Sequence, residues 1–366
     1  MKKILLFALV VNLIMGCTSD PRYIVEGQLD GIDEGTVYLQ KRESGQFVKI
    51  DSASIENGAF QINGGSVEYP DAHYLSVDGK RGYLLFFLEN TKITVSGHAD
   101  SLVMAEVDGS VSQVEFDEFN DGLEPFYERN TALFQEIRNA RQAGDEEKAK
   151  ELEAERNVLF DEIDEYYFQF IELHNESYVV PMILQSMSYN MTGEEIESYV
   201  EQLDSKLMET KIIKDINERV EKLKKVAIGQ KAPEFTQNDP DGNPVSLSEV
   251  LGSDLLLIDF WAAWCGPCRQ ENPNVVAVYN DYHDKGFNVL GVSLDRDKDD
   301  WLKAIEDDQL TWTQVSDLNF WENEAAQLYA VNSIPTNFLL DSEGVIIATN
   351  VRGEELRKKV AEILGE

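Results

Sequence analysis

Cys265 and Cys268 are separated by two residues in Trp264-Cys265-Gly266-Pro267-Cys268, shortly after the apolar run Leu255-Leu256-Leu257-Ile258-Asp259-Phe260-Trp261. That spacing lets two sulfurs meet across one helical turn at the point where a buried strand becomes a helix. The free backbone N–H groups of a helix start favour a thiolate there. The chemistry this predicts is dithiol/disulfide exchange, with Cys265 as the acidic, nucleophilic thiol. Zinc is the competing use of paired cysteines, but a closed zinc site needs about four ligands, and the chain offers only Cys17 and four scattered histidines besides this pair. A c-type haem site requires His after the second cysteine, and Arg269 stands there. The reading therefore has no metal and no cofactor.

Asp259 is the second chemical signal. A carboxylate inside Leu-Leu-Leu-Ile-Asp-Phe-Trp has few structural uses, because burying it unpaired is costly, and such groups cluster at functional sites. Pro335, in Ser333-Ile334-Pro335-Thr336, lies between a predicted helix and an apolar strand.

The stretch 259–268, Asp-Phe-Trp-Ala-Ala-Trp-Cys-Gly-Pro-Cys, resembles the active-site segment of the thioredoxins, and Ser333-Ile334-Pro335-Thr336 resembles their cis-proline loop. Gly229-Gln230-Lys231-Ala232-Pro233-Glu234-Phe235, followed by the turn Asp239-Pro240-Asp241-Gly242-Asn243, is similar to the opening of the membrane-tethered envelope thioredoxins, the thiol-disulfide interchange proteins of cytochrome c maturation. The resemblance covers 229–366. It implies that Cys265 attacks a client disulfide, that Cys268 resolves the mixed disulfide, and that Asp259 lies beneath the pair with a raised pKa and exchanges the Cys268 proton. It implies a substrate-facing rim of Trp264, Gly266 and Pro267. It also implies a cis peptide at Pro335 that exposes the backbone of Ile334 to an extended client. Glu271 matches an acidic position of the envelope proteins, although a solvated helix-face glutamate reads equally well. Pro273 matches a helix kink of the family.

The Gly-Pro dipeptide with Asp259 resembles reducing thioredoxins near about −270 mV more than strong oxidants near about −120 mV. The function this implies is a protein-disulfide reductase, with a membrane thiol-electron transporter as donor and oxidised envelope proteins, apocytochrome c among them, as acceptors. The alternatives are a disulfide isomerase, a peroxiredoxin-like enzyme, and a lipoprotein binding module with a secondary redox domain. Against the peroxidase, Ile258 and Ala262 occupy the places where that family carries Pro and Thr.

The elements that must position this chemistry follow from periodicity. A hairpin is expected near 233–246, strands at 254–261, 287–294, 312–315, 336–341 and 344–349, and helices opening at the cysteines and spanning 298–307, 322–330 and 353–364. Strands alternating with helices predict an α/β module with a mixed sheet covered on both faces. Upstream, short apolar or alternating runs such as Thr36-Val37-Tyr38-Leu39 and Lys92-Ile93-Thr94-Val95, separated by turn residues, predict an all-β, sandwich-like domain over 23–110. It resembles a β domain of unknown function that precedes envelope thioredoxin modules. His73 and His98 are isolated in it and read as structural or surface residues. Between about 115 and 226 the period becomes helical, with Leu159, Ile163, Tyr166 and Phe170 at spacings of four, three and four, a capping box at Thr192-Gly193-Glu194-Glu195, and an aromatic cluster at 166–170 read as helical core.

With 366 residues, two or three domains are expected, and a formal net charge of −36 excludes a phosphate-binding nucleic-acid face. Lys2 and Lys3, an apolar run at 4–15 and Gly16-Cys17 read as a signal peptide over 1–16. Ile14-Met15-Gly16-Cys17 resembles a bacterial lipobox, which implies lipidation at Cys17, a tether at 17–22 and a membrane-anchored protein facing the periplasm. Thr18 lacks the aspartate that retains some lipoproteins in the inner membrane, which leans towards the outer membrane.

Overall fold

The computed structural model describes residues 22–43 and 45–365. The expected signal peptide, Cys17 and nearly all of the tether lie outside the described residues. Among the described residues no helix is long and apolar enough to cross a membrane. The chain divides into two compact units, one reaching to Phe170 and including Ser177–Val180, the other made of Ile171–Glu176 and the chain from Pro181 onward. This boundary falls inside the stretch read as a helical region.

In the first unit, β1 (Ile24–Asp30), β2 (Glu34–Glu43), β3 (Gln46–Glu56), β4 (Ala59–Asn63), β5 (Asp71–Val77), β6 (Leu84–Leu88), β7 (Lys92–His98) and β8 (Glu106–Asp108) form one eight-stranded sheet in the order β6-β5-β2-β3-β4-β1-β7-β8. The sequence predicted a sandwich, but hydrogen bonding links all eight strands into a single sheet. The link between its halves is the β3–β4 hairpin, where Glu56 pairs with Ala59. Asn57 and Gly58 both take left-handed φ there, 51° and 78°, as a two-residue hairpin turn that follows strand twist demands. A Cβ on Gly58 would stand 2.6 Å from the Leu29 carbonyl oxygen. Both halves fill one core, with Val37, Leu39, Leu75 and Phe86 from one and Val25, Ile62, Ile93 and Val95 from the other. This shared core is why the pattern reads as a sandwich. His73 is buried, with Nδ1 3.0 Å from the Asp71 carbonyl oxygen, and His98 Nδ1 accepts from the Asp100 N–H.

Helices α1 (Val111–Ala143) and α2 (Glu146–Leu173) follow. α1 begins earlier than the predicted 115 because Ser110 caps it, accepting from the Gln113 N–H at 3.0 Å, while Glu89 accepts from Ser110 Oγ and the Ser112 N–H. The aromatic cluster is interhelical core: Phe119 of α1 meets Tyr166, Tyr167 and Phe170 of α2 at ring-centroid distances of 5.8, 5.1 and 5.0 Å.

The second unit holds α3 (Val180–Met187) from Pro181 onward, then α4 (Gly193–Val200) and α5 (Lys211–Lys225). The capping box at α4 is formed, Thr192 and Glu195 each accepting the other's backbone N–H. Arg219 of α5 is half-buried, stacks over Tyr189 at 5.4 Å and donates to Ser188 Oγ. With the Asn332 amide oriented so that its oxygen faces the guanidinium, that oxygen accepts from all three Arg219 nitrogens at 2.9 to 3.2 Å.

Next come β9 (Thr236–Asn238), β10 (Pro244–Ser246), α6 (Leu247–Val250), β11 (Leu255–Trp261), α7 (Gly266–Tyr282), β12 (Phe287–Ser293), α8 (Lys298–Asp307), β13 (Thr313–Val315), α9 (Glu324–Leu328), β14 (Thr336–Asp341), β15 (Ile346–Thr349) and α10 (Gly353–Leu364). The sheet order is β13-β12-β11-β14-β15. β11, β12 and β13 are parallel, and β14 and β15 run antiparallel. All seven residues of β11 are buried, which a strand achieves only when both faces of its sheet are covered. The expected element order is present, with boundaries that agree to within a few residues.

Candidate active site

β11 is the central strand, and its C-terminal end delivers the chain through Ala262, Ala263 and Trp264 to Cys265, the N-cap of α7. Cys265 and Cys268 form a disulfide with 5.3 Å between Cα atoms. Cys265 Sγ accepts the Cys268 N–H at 3.2 Å, so the sulfur sits on the unsatisfied donors of the helix start. Cys265 is 4% exposed and Cys268 1%. Gly266 and Pro267 form the exposed first turn of α7 between them, and Trp264 is 48% exposed. Pro273 lies inside α7, where it has no N–H for the fourth residue back.

The Ile334–Pro335 peptide is cis, and the Ile334 carbonyl oxygen lies 3.6 Å from Cys265 Sγ. Thr336 follows as the first residue of β14, opposite Phe260 of β11. The pairing of these two strands is what brings the proline loop to the cysteines.

Asp259 sits in β11 between Gly291 of β12 and Asn337 of β14. Gly291 is a close-approach position, since a Cβ there would meet the Gln314 side chain at 2.1 Å. Asp259 is 6% exposed. Burial pushes its carboxyl up to about 7; the negative charge of Glu271 adds to the rise and the Arg352 guanidinium opposes it. Glu271 has a structural use as well. It accepts the Gly353 N–H at 2.7 Å and the Asn274 amide at 3.1 Å, and so satisfies the first N–H of α10, whose N-cap Arg352 provides no side-chain cap. Half-buried and holding two hydrogen bonds, Glu271 is not the solvated helix-face glutamate that was the other reading of it.

Among the described residues no group of three or more His, Cys, Asp or Glu is arranged to hold a metal ion.

Residues 228–349 match the AhpC/TSA family, and residues 23–116 match a domain of unknown function, DUF4369. The thiol-disulfide oxidoreductase ResA of Bacillus thuringiensis subsp. konkukian is 29% identical over 143 residues, which cover 39% of this chain and 80% of that protein. The ResA of Geobacillus thermodenitrificans is 30% identical over 141 residues, 38% of this chain and 79% of that protein. The chain belongs to the thioredoxin-like thiol-disulfide oxidoreductases. Among solved structures, the C-terminal domain of a putative thiol-disulfide oxidoreductase from Bacteroides thetaiotaomicron is 39% identical, covers 38% of this chain and 98% of its own, and superposes with a TM-score of 0.37.

Several residues around the centre of this oxidoreductase escape the sequence reading. Arg352 donates to the Pro335 carbonyl oxygen as well as facing Asp259. Asp295, just past β12, is a second buried carboxylate; it accepts the Ala263 N–H at 3.0 and 3.2 Å and the Ser293 hydroxyl at 2.8 Å, and burial raises its pKa. It pins the backbone one residue before Trp264. Its signal was an acid at the end of the apolar run Val-Leu-Gly-Val-Ser-Leu. Arg352 gives no comparable signal, because its partners are distant in sequence. Phe320 and Trp321 pack against Trp264 at ring-centroid distances of 5.1 and 5.9 Å.

Proposed function

We propose that this oxidoreductase works as a reductant of protein disulfides through Cys265 and Cys268. In the reduced enzyme the Cys265 thiolate attacks one sulfur of a client disulfide, and the other client sulfur leaves as a thiolate. Cys268 then attacks Cys265 Sγ, the second client sulfur leaves, and the enzyme ends as the Cys265–Cys268 disulfide. Two electrons pass to the client, and Asp259 takes the proton that Cys268 sheds. The observation that carries this reading is the position of Cys265 Sγ, on the α7 N-terminus and 3.6 Å from the Ile334 carbonyl oxygen. An extended client pairing with Ile334 therefore runs past the attacking sulfur.

The clients in this proposal are oxidised proteins of the cell envelope, apocytochrome c among them, and the donor is a membrane thiol-electron transporter. The pattern at 1–17 supports export and lipidation at Cys17, with the enzyme facing the periplasm. Trp264, Gly266, Pro267 and Ile334 form the client-facing surface, and Pro335, itself buried, shapes it from beneath.

Cys268→Ser tests the division of labour. Mixed disulfides should accumulate on Cys265, resolve on adding a thiol reductant, and vanish in the Cys265→Ser variant. Client adducts carried instead by Cys268 in Cys265→Ser would overturn it.

A further inference from the structure

Leu318 and Phe320 both hold left-handed backbone, φ 59° and 58°, although neither is Gly or Asn. Such a residue is strained and persists only where surrounding structure over-determines it. Asn323 does so here. It is fully buried; its amide donates to the Asp317 carboxylate at 2.9 Å and to the Ser293 carbonyl at 3.3 Å, and its oxygen accepts from Gln237 at 2.9 Å and the Ala326 N–H at 3.0 Å. Asp317 in turn accepts the Asn319 and Glu324 N–H groups.

The product of this strained turn is the placement of two aromatic rings on the surface. Phe320 and Trp321 are half-buried, 5.8 Å apart, and both lean on Trp264, the residue before Cys265. The Arg296 guanidinium stands 3.9 Å over the Phe320 ring, a cation–π contact that fixes that ring's face. The Trp264 indole is itself tied to the Leu294 carbonyl at 3.4 Å. A core would bury such rings fully; these form a rigid shelf beside the sulfur, continuous through Trp264 with the surface of the proposed function.

We infer that Trp264, Phe320 and Trp321 form a specificity subsite that selects client polypeptides carrying an aromatic residue next to the cysteine under attack. The inference rests on the proposed reductase reading and names its client class. A client side chain seated on the shelf adds ring–ring contact in the attack complex. The exposed Arg296 guanidinium lies over one face of Phe320, and the three rings supply the rest of the contact surface.

The test uses symmetric peptide disulfides built from Gly-X-Cys-Gly and Gly-Cys-X-Gly, with X as Trp, Phe, Gly or Lys, reduced by the pre-reduced full chain. Each turnover releases two peptide thiols and leaves the Cys265–Cys268 disulfide. On at least one side of the cysteine, X as Trp or Phe should be reduced about fivefold faster than Gly, as one aromatic pair allows. Phe320→Gly suits the left-handed φ and keeps the turn folded; it should cut that ratio to below about twofold, and Trp321→Ala should do the same. A ratio near one in the parent, or a ratio that survives both substitutions, overturns the inference. Hydroxyethyl disulfide separates the two claims. If the parent reduces it without discriminating among the peptides, the subsite fails and the reductase stands; if the parent reduces neither, the reductase reading falls and the subsite with it.

Discussion

Replacing Asp259 by Asn should stabilise the protein in a pH-dependent way while slowing the chemistry. In the folded chain the Asp259 carboxyl is held up to about 7, against an ordinary 3.8, chiefly by burial. Below pH 3.8 both the folded and unfolded chains keep this proton. Between there and about pH 7 the unfolded chain ionises and the folded one does not, so the wild-type protein loses stability as pH rises, and above 7 the loss levels off. Each pH unit of that window is worth about 1.4 kcal/mol, so the cost reaches about 2 kcal/mol at pH 5.5 and about 4 kcal/mol at pH 8. Asn has the same shape and no such titration. Urea unfolding of the oxidised proteins should therefore show Asp259→Asn more stable, with an advantage that roughly doubles from pH 5.5 to pH 8. All five tryptophans lie in the C-terminal module, so their fluorescence reports on the unit that holds Asp259. An advantage that is equal at the two pH values, or a destabilisation at pH 8, would refute the reasoning. The same variant, lacking the proton acceptor for Cys268, should reduce disulfides more slowly.

The charges facing Asp259 give a paired prediction. Glu271→Gln removes the charge that raises Asp259, and Arg352→Met removes the one that lowers it. The acid limb of the pH–rate profile should move to lower pH in the first and higher pH in the second, and movement in one direction for both would contradict the assignment. Arg219→Ala removes a half-buried guanidinium that donates to Ser188 and to the exposed Asn332 oxygen, which water can then serve, and should cost about 0.5–1.5 kcal/mol in urea unfolding. Arg219→Lys should recover less than half of that, because an ammonium lacks the planar fork; full recovery would show that charge alone matters.

The parts of the site that lie close together in sequence were legible in it. An apolar run, two cysteines and a helix opening are contiguous, and β11, Cys265 at its helix cap and the buried Asp259 follow from that local pattern. The Thr192 capping box was legible for the same reason. What long-range pairing decides was not. Whether eight strands make one sheet or two depends on the Glu56–Ala59 link, which alternation along each strand does not encode. The Phe320–Trp321 shelf follows β13 and Arg352 follows β15, so both reach the cysteines through the pairing of those strands with β12 and β14 and of these with β11, and neither belongs to a local motif. The start of α1 was misplaced because Ser110 acts as its cap together with Glu89 of the preceding sheet region, a tertiary contact. Periodicity also finds helices without saying what they pack on, and so the unit boundary inside the helical stretch was invisible.

The reduction potential of the Cys265/Cys268 pair tests the central claim most directly. It is measured by equilibrating the protein in dithiothreitol or glutathione buffers and counting the dithiol fraction. A reductant of protein disulfides requires a value near that of thioredoxin, about −270 mV. A value above about −150 mV, in the range of the oxidising members of the fold, would contradict it.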